Sequence, residues 1–284
     1  MHILAATDFS TRSQRALRRA GLLARDSGAD LTLVHVVDDD QPSDLVALES
    51  REAGRILGEQ TGAIPELCGL RSRALVVEGD PFDGIVRAAA STGADLVVMG
   101  AHRKQLLRDI LIGTTIERVI RTGPFPVLMV NREVDRPYRT AMAAIALSEP
   151  SVNAIRTSRV LGLLGGARLA LVHAFQPLAK GQMFYAGLSQ DTIDGHVADE
   201  RLRATKELTA FLEVNGLDDR GQSMHIEEGA PFEVISKAVE QLNPDILIIG
   251  THGRSGIAKA LLGSVTEEVL RSLDVDILAV PPLR

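Results

Sequence analysis

The chain reads as an α/β protein: two doubly wound, five-stranded parallel-sheet domains in tandem, related by a pseudo-two-fold repeat. Three observations predict this. The sequence repeats itself across its whole length. Short apolar runs alternate with helical periodicities inside each copy. The length of 284 residues suits two domains of about 100–200 residues each.

Glu78-Gly79-Asp80-Pro81-Phe82 recurs 150 residues later as Glu228-Gly229-Ala230-Pro231-Phe232. At the same offset Asp95 to Gly100 matches Asp245 to Gly250, and His102, Gly113, Glu117 and Arg121 match His252, Gly263, Glu267 and Arg271. Residues 78–130 and 228–280 share 16 identities in 53 positions, too many for chance at one fixed offset. Upstream the offset is 138: Leu33-Val34-His35 matches Leu171-Val172-His173, and Ser10 matches Ser148. The difference of 12 residues places an insertion between the second and third strands of the second copy, near Gln176–His196. The join falls in the polar stretch Glu133–Arg139, giving domains 1–134 and 138–284.

The elements follow in order. Residues 2–7 are a short apolar strand, and Ser10 precedes a helical pattern from Thr11 to Ala24. Residues 31–37 form a buried strand rich in β-branched side chains, followed by a helical pattern at 44–60. A third strand covers 74–78, and Pro81 suits the first turn of the next helix, where its missing N–H costs nothing. Strand 95–99, helix 114–121 and strand 126–130 complete the copy; the second copy places its strands at 140–147, 168–174, 223–228, 245–249 and 276–280. Continuous apolar strands alternating with helices predict a parallel sheet covered on both faces. Ligands of such folds sit beyond the carboxyl ends of the strands where the strand order reverses, so the loops after strands one and four are the places of interest. Pairing of the two fifth strands would shield two sheet edges within one chain, an intrachain pseudo-dimer, with further homodimerisation left open.

Composition narrows the function classes. The formal net charge is −6, which argues against non-specific binding to nucleic acid or to an anionic membrane. The only cysteine, Cys68, can form neither an intrachain disulfide nor a cysteine-rich zinc site, and reads as a reduced thiol without a role. The opening MHILAATDFS has neither a basic region nor a long apolar run, and no segment has about 18 consecutive apolar residues, so a cytoplasmic protein is expected. There is no Ser-His-Asp arrangement at motif spacing, no carboxylate pair near the loops and no metal cluster: no catalytic residue and no metal site are assigned. Asp38-Asp39-Asp40 reads as a solvated acidic loop.

The chemistry-bearing loop follows strand four of the second copy. It reads Gly250-Thr251-His252-Gly253, then nine residues, then Gly263-Ser264 at the start of a helix with Val265-Thr266-Glu267. Glycines let the backbone pass close to a ligand. The unpaired N–H groups and dipole of the helix start favour an anion such as phosphate. Ser264-x-x-Glu267 and Thr114-x-x-Glu117 also read as capping boxes. No Gly-x-x-x-x-Gly-Lys-Ser/Thr loop is present, so the chain is not a P-loop NTPase.

Gly-x2-Gly-x9-Gly-Ser after a strand resembles the ATP-binding motif of the universal stress protein family. Ala6-Thr7-Asp8-Phe9-Ser10, the Val34-His35 pair and the terminal Val-Leu-x-Val strand resemble it too. The resemblance covers the chain twice over. It implies a nucleotide-binding α-hydrolase-like fold, with ATP or ADP between strands one and four and magnesium entering through the phosphates only. Carried over by position, the second-copy site is Ala144, Ile145, Ala174, Ile249, Gly250, Gly253, Gly263, Ser264, Val265 and Thr266. One position departs from the family: its aspartate after strand one is Ala146 here. The first copy departs oppositely. It keeps Asp8, but its loop reads Gly100-Ala101-His102-Arg103, with an arginine in place of the second glycine. Its candidate positions are Thr7, Asp8, Val36, Met99, Gly100, Arg103, Gly113 and Thr114. Arg103 either fills that site or swings out to hold phosphate, with Lys104 and Arg108 nearby.

His35 and His173 read as satisfied core histidines, and His102 and His252 as loop residues. Asp8 is either an early helix cap or a nucleotide contact. Met183-Phe184-Tyr185, in the inserted segment, is either a lid or partner surface, or a helix entry packed on the second domain. The function implied is a stress-response regulator that binds adenine nucleotide and acts through an unknown protein partner, not through fast catalysis. Slow ATP hydrolysis stays open. The alternatives are a signalling or chaperone-like scaffold of the same fold that binds no nucleotide, and, with least support, an adenine-nucleotide hydrolase.

Overall fold

The computed structural model describes residues 1–101, 114–134, 136–217, 221–251 and 262–282. The first copy runs β1 (His2–Ala6), α1 (Thr11–Ser27), β2 (Asp30–Val37), α2 (Ser43–Ala63), β3 (Ser72–Glu78), α3 (Pro81–Thr92), β4 (Leu96–Gly100), α4 (Thr115–Thr122) and β5 (Val127–Val130). The second runs β6 (Thr140–Ala144), α5 (Glu149–Val160), β7 (Arg168–Phe175), α6 (Lys180–Tyr185), α7 (Gln190–Val214), β8 (Ser223–Glu228), α8 (Pro231–Leu242), β9 (Ile246–Gly250), α9 (Ser264–Ser272) and β10 (Asp276–Val280).

The ten strands among the described residues join one sheet in the order β3-β2-β1-β4-β5-β10-β9-β6-β7-β8. Pairing is parallel within each copy and antiparallel only at β5–β10, where Met129 faces Ile277, Leu128 faces Leu278 and Val127 faces Ala279. The fifth strands therefore close on each other, as expected. The strand order reverses between β1 and β4, and again between β6 and β9.

The period of two along each strand divides the core. Ile3 and Ala5 point to a layer that includes Ala16, Leu17 and Ala20 of α1 and Leu57 of α2. Leu4 and Ala6 point to the opposite layer, with Ile85 of α3 and Val119 and Ile120 of α4. Each layer continues without interruption into the second copy, through Ile246 and Ile248 on one face and Leu247 and Ile249 on the other. The sheet is thus buried on both sides, which is why its central strands carry almost no polar residue.

Local signals explain the element ends. Ser10 caps α1 by accepting from Ser13 N, and Gly28 ends it in the left-handed region at φ 66°. Pro81 opens α3 behind the cap Asp80, whose carboxylate accepts from Phe82 N. The first strand of the second copy is shorter than expected and stops at Ala144. Beyond it, Ile145 N still reaches Val172 O, but Ala146 N turns to Ser151 Oγ at 3.1 Å and the chain bends into α5. The insertion builds α6, which buries none of its residues; Phe184 and Tyr185 are 69% and 89% exposed. That result rules out the packed-entry reading of this apolar patch.

Candidate functional site

The carboxyl ends of β6, β7 and β9 and the start of α9 meet at the second reversal of strand order. Parallel pairing of Ala143 with Ile248 and of Ala144 with Val172 sets Ala144, Ile145, Ala174, Ile249 and Gly250 along one end of the sheet. Gly263, Ser264, Val265 and Thr266 stand at the start of α9. Thr266 Oγ1 donates to Gly250 O at 3.0 Å, and Gly263 N donates to Thr251 O at 2.9 Å, so the helix start is tied to the strand end. Gly253 lies outside the described residues, as do Arg103, Gly113, His102, His252, Lys104 and Arg108.

The two copies differ at the helix that follows the loop. In the first, Thr114 caps α4: Glu117 N donates to Thr114 Oγ1 at 3.3 Å, and Thr114 N donates to Glu117 Oε2 at 2.9 Å. The capping box expected in the second copy does not form. There the cap is Gly263, which has no side chain to offer, and Ser264 is the first helical residue, with an exposed side chain. The helix reaches one residue further toward the loop, through Glu267 N to Gly263 O. Among the described residues, its first turn therefore has no side-chain cap for its N–H groups, and such groups favour an anion.

The strand-end glycines have a packing reason. A Cβ on Gly250 would lie 2.9 Å from Pro150 O, and one on Gly100 would lie 2.6 Å from Arg12 O. What approaches them closely is the backbone at the start of α5 and α1. The constraint acts before any ligand does.

Each second-strand histidine locks the end of the first strand. His35 Nδ1 donates to Thr7 O at 2.8 Å, and His173 Nδ1 donates to Ile145 O at 2.7 Å. A carbonyl can only accept, so Nδ1 carries the proton in both rings. The reading of these histidines as core residues is consistent with both bonds. In the first copy Phe9, at φ 61°, stacks on His35 with centroids 4.2 Å apart. Thr7 is buried and bonds Ser13 Oγ at 3.0 Å. Val36 is turned toward α3, where a Cβ on Gly84 would meet it at 2.6 Å, and Met99 is buried in the same layer.

Asp8 is not a helix cap, since that place belongs to Ser10. Its side chain is exposed and Oδ1 accepts from Ser10 N at 3.0 Å, a local turn. Partial desolvation pushes its carboxyl up, but hydrogen bonds from Ser10 and Ser13 outweigh that and leave it below the usual aspartate value. At the matching position Ala146 contributes only its backbone.

Two charged clusters went unassigned in the sequence. Arg271 Nε lies 2.8 Å from Glu117 Oε1, across the two copies. Asp276, wholly buried at the start of β10, accepts from Asn131 N, Arg132 N and Tyr138 Oη. The available signals were the repeated Glu-x-x-x-Arg of α4 and α9 and one aspartate heading an otherwise apolar strand. Among the described residues no group of three or more His, Cys, Asp or Glu could hold a metal ion. No helix among them is long and apolar enough to cross a membrane.

A family model described as the universal stress protein family matches residues 1–131 and again 137–281. Universal stress protein E of Escherichia coli (strain K12) is 28% identical over 309 aligned positions, which cover 99% of this chain and 94% of that protein. Universal stress protein E of Salmonella typhi is 26% identical over 305 positions, with 99% and 94% covered. The crystal structure of a universal stress protein from Archaeoglobus fulgidus DSM 4304 matches with a TM-score of 0.73 at 22% identity, covering 99% of this chain and 98% of that one. The last likeness supports the fold alone. With the same family model matching both halves, the chain belongs to the universal stress protein family, as a tandem of two of its domains.

Proposed function

We propose that this tandem protein is a cytoplasmic stress-response regulator that binds ATP or ADP mainly in its second domain and acts through ligand-dependent contacts with a protein partner. The domains span 1–134 and 138–284. The single observation that carries the reading is the unequal helix start: α4 closes on its own capping box, whereas α9 begins at Gly263 without a side-chain cap among the described residues. An anion stabilises an uncapped first turn by about 0.3–1 kcal/mol at an exposed site and more when partly buried. Ala144 and Ala174 are small side chains toward the carboxyl ends of β6 and β7, and Ala146 follows in the turn toward α5. Gly250, Gly253, Gly263, Ser264, Val265 and Thr266 would hold the phosphates, and Ala144, Ile145, Ala174 and Ile249 the nucleoside. Magnesium would come with the phosphates.

Calorimetry with ATP tests the assignment on the parent chain, Gly253→Arg and Arg103→Gly. The expected stoichiometries are about one, none and up to two. Full binding by Gly253→Arg overturns the assignment to the second domain. The same protein should turn ATP over more slowly than about 1 per second, the lower end of ordinary enzymes.

A second reading has its own support. Ala146 supplies no carboxylate for adenine, and α4 has its cap already filled. A scaffold that binds no nucleotide would then act through its exposed surfaces alone. Gently purified protein that releases no nucleotide on heating, and takes up none at millimolar ATP, would establish it.

A further inference from the structure

We infer that the inserted α6–α7 hairpin of the second domain is a docking surface for a second copy of this chain, with α7 packed antiparallel on the α7 of its partner about a two-fold axis near Ala198. The inference is independent of what the second domain binds. The hairpin is surplus to its own domain. The first domain builds the same five-stranded sheet with α2 alone between β2 and β3, whereas the second places α6 and α7 between β7 and β8. α6 buries none of its residues. Leu178 and Tyr185 are each 89% exposed, and Phe184, whose ring meets that of Tyr185 edge-on at 6.1 Å, is 69% exposed.

The hairpin is nevertheless held in place. Lys180 Nζ lies 2.6 Å from Glu228 Oε1 on the edge strand β8, Leu188 N donates to Met183 O at 3.2 Å, and Ser189 caps α7 by accepting from Thr192 N. α7 itself is anchored by the buried Ile193, Ala204, Leu208 and Leu212. Apolar surface presented on a fixed support, with no gain to the fold, marks an interaction site. The fifth strands are already paired with each other, so that sheet edge is closed to a second chain. Phe184 and Tyr185 would together contribute about 300 Å² per copy toward the roughly 800 Å² per partner of a stable interface, and Leu188, Leu202 and the α7 surface the remainder.

Charge says what covers it. Beside its buried side α7 shows Asp194, Val197, Ala198, Arg201, Leu202 and Thr205, at the spacing of a single helix face, along a shallow open groove. Carboxylates lie on one side of Ala198 and cations on the other: Asp191 and Asp194 are exposed before it, Arg201 and Lys206 after it. At 1.5 Å per residue, Asp191 and Lys206 stand about 11 Å from Ala198 in opposite directions, and Asp194 and Arg201 about 5 Å. A two-fold axis at Ala198 therefore sets Asp191 opposite Lys206 of the partner subunit and Asp194 opposite Arg201 of the partner subunit, each pair occurring twice. Parallel helices would oppose like charges instead. Self-complementarity about one residue is the condition a two-fold interface has to meet, and an unrelated partner does not require it.

The test is sedimentation velocity on the full chain from about 1 to about 100 μM. The parent should reach twice the 30.5 kDa of one chain at the upper end. Asp191→Lys and Lys206→Asp, each alone, should weaken association about tenfold, because each sets like charges against each other twice. An equimolar mixture of the two variants should regain association to within about threefold of the parent, since every facing pair is again of opposite sign. Phe184→Ser combined with Tyr185→Ser should leave a monomer with the melting temperature of the parent; the charge variants, at exposed positions, give a second route if that pair does not fold. A parent that stays monomeric at the highest concentration overturns the inference, even if it binds vesicles or another protein through this hairpin. So does a dimer indifferent to the serine pair, or one whose single charge variants associate no better when mixed.

Discussion

Tyr138 Oη donates to Asp276 Oδ2 at 2.8 Å, joining the segment between the domains to the strand that pairs with the first domain. Both residues are buried. Arg19 approaches the same carboxylate at 3.5 Å and lies over the Tyr138 ring at 4.0 Å. Asn131 N and Arg132 N donate to Oδ1 at 2.9 and 3.0 Å. A charge at the head of an apolar strand is tolerated because donors surround it.

Tyr138→Phe removes one of those donors and leaves the ring in place. The expected cost is about 1–3 kcal/mol in denaturant unfolding, since a buried carboxylate loses a partner it cannot replace with water. Asp276 also has a pH signature. Burial pushes its carboxyl above the usual aspartate value, more than its donors and Arg19 pull it down. A raised acid favours the folded state when protonated. That contribution is full below the unfolded pKa of about 4 and is lost as pH rises through the folded value. Asp276→Asn should therefore flatten the fall in stability over that window, as read from denaturation midpoints at several pH values.

Asp245 predicts the opposite slope. Burial pushes its carboxyl up, but Arg139 N at 2.7 Å, Thr140 N at 2.9 Å and Thr140 Oγ1 at 3.1 Å outweigh this, and the pKa is lowered. A lowered acid stabilises above its unfolded pKa of about 4, and the contribution disappears as pH falls through the folded value. Asp245→Asn should cost about 1–3 kcal/mol at neutral pH, and the gap to the parent should close in acid. A gap that stays constant down to strongly acidic pH would count against the carboxylate's role.

Gly100→Ala places a methyl 2.6 Å from Arg12 O, a backbone atom that cannot swing aside. Overpacking of this kind costs about 1–3 kcal/mol. The melting temperature should drop without any nucleotide in the solution, which separates packing from ligand loss. Gly250→Ala, at 2.9 Å from Pro150 O, should show the same loss in milder form.

Thr266→Val keeps the shape and deletes the hydroxyl that donates to Gly250 O. A buried hydrogen bond of this kind is worth about 0.5–1.5 kcal/mol. Thermal unfolding should register that loss, and ATP affinity should fall further as the helix start loosens from β9. The first domain has Ile116 at the same place and needs no such tether in its capped helix.

The order of strands and helices was legible because each buried strand is a continuous apolar run and each helix has an apolar face. Leu31 to Val37 and Ile246 to Ile249 could hardly be read otherwise. The identical offsets of Gly100 and Gly250, and of Glu117 and Glu267, carried the tandem organisation. The capping at α9 was not legible. Ser264-x-x-Glu267 is written like Thr114-x-x-Glu117, yet only the latter forms a box, because α9 starts one residue earlier, at the cap Gly263, which puts Ser264 inside the helix and Glu267 out of register. Asp8 was read as either an early cap or a nucleotide contact; the cap is Ser10, two residues on, which accepts from Ser13 N.

By itself, then, the sequence determined the local matters: two copies, five strands each, the glycine spacing of the loop, and the family. These follow from periodicity and from residues adjacent in the chain. Tertiary structure alone decided how the copies differ at the helix after the loop. The antiparallel closure of β5 on β10 brings Glu117 to Arg271 across 154 positions, and Tyr138 to Asp276 across 138. Which carboxylate an arginine takes depends on distance in space, and that distance exists only once the two sheets have become one.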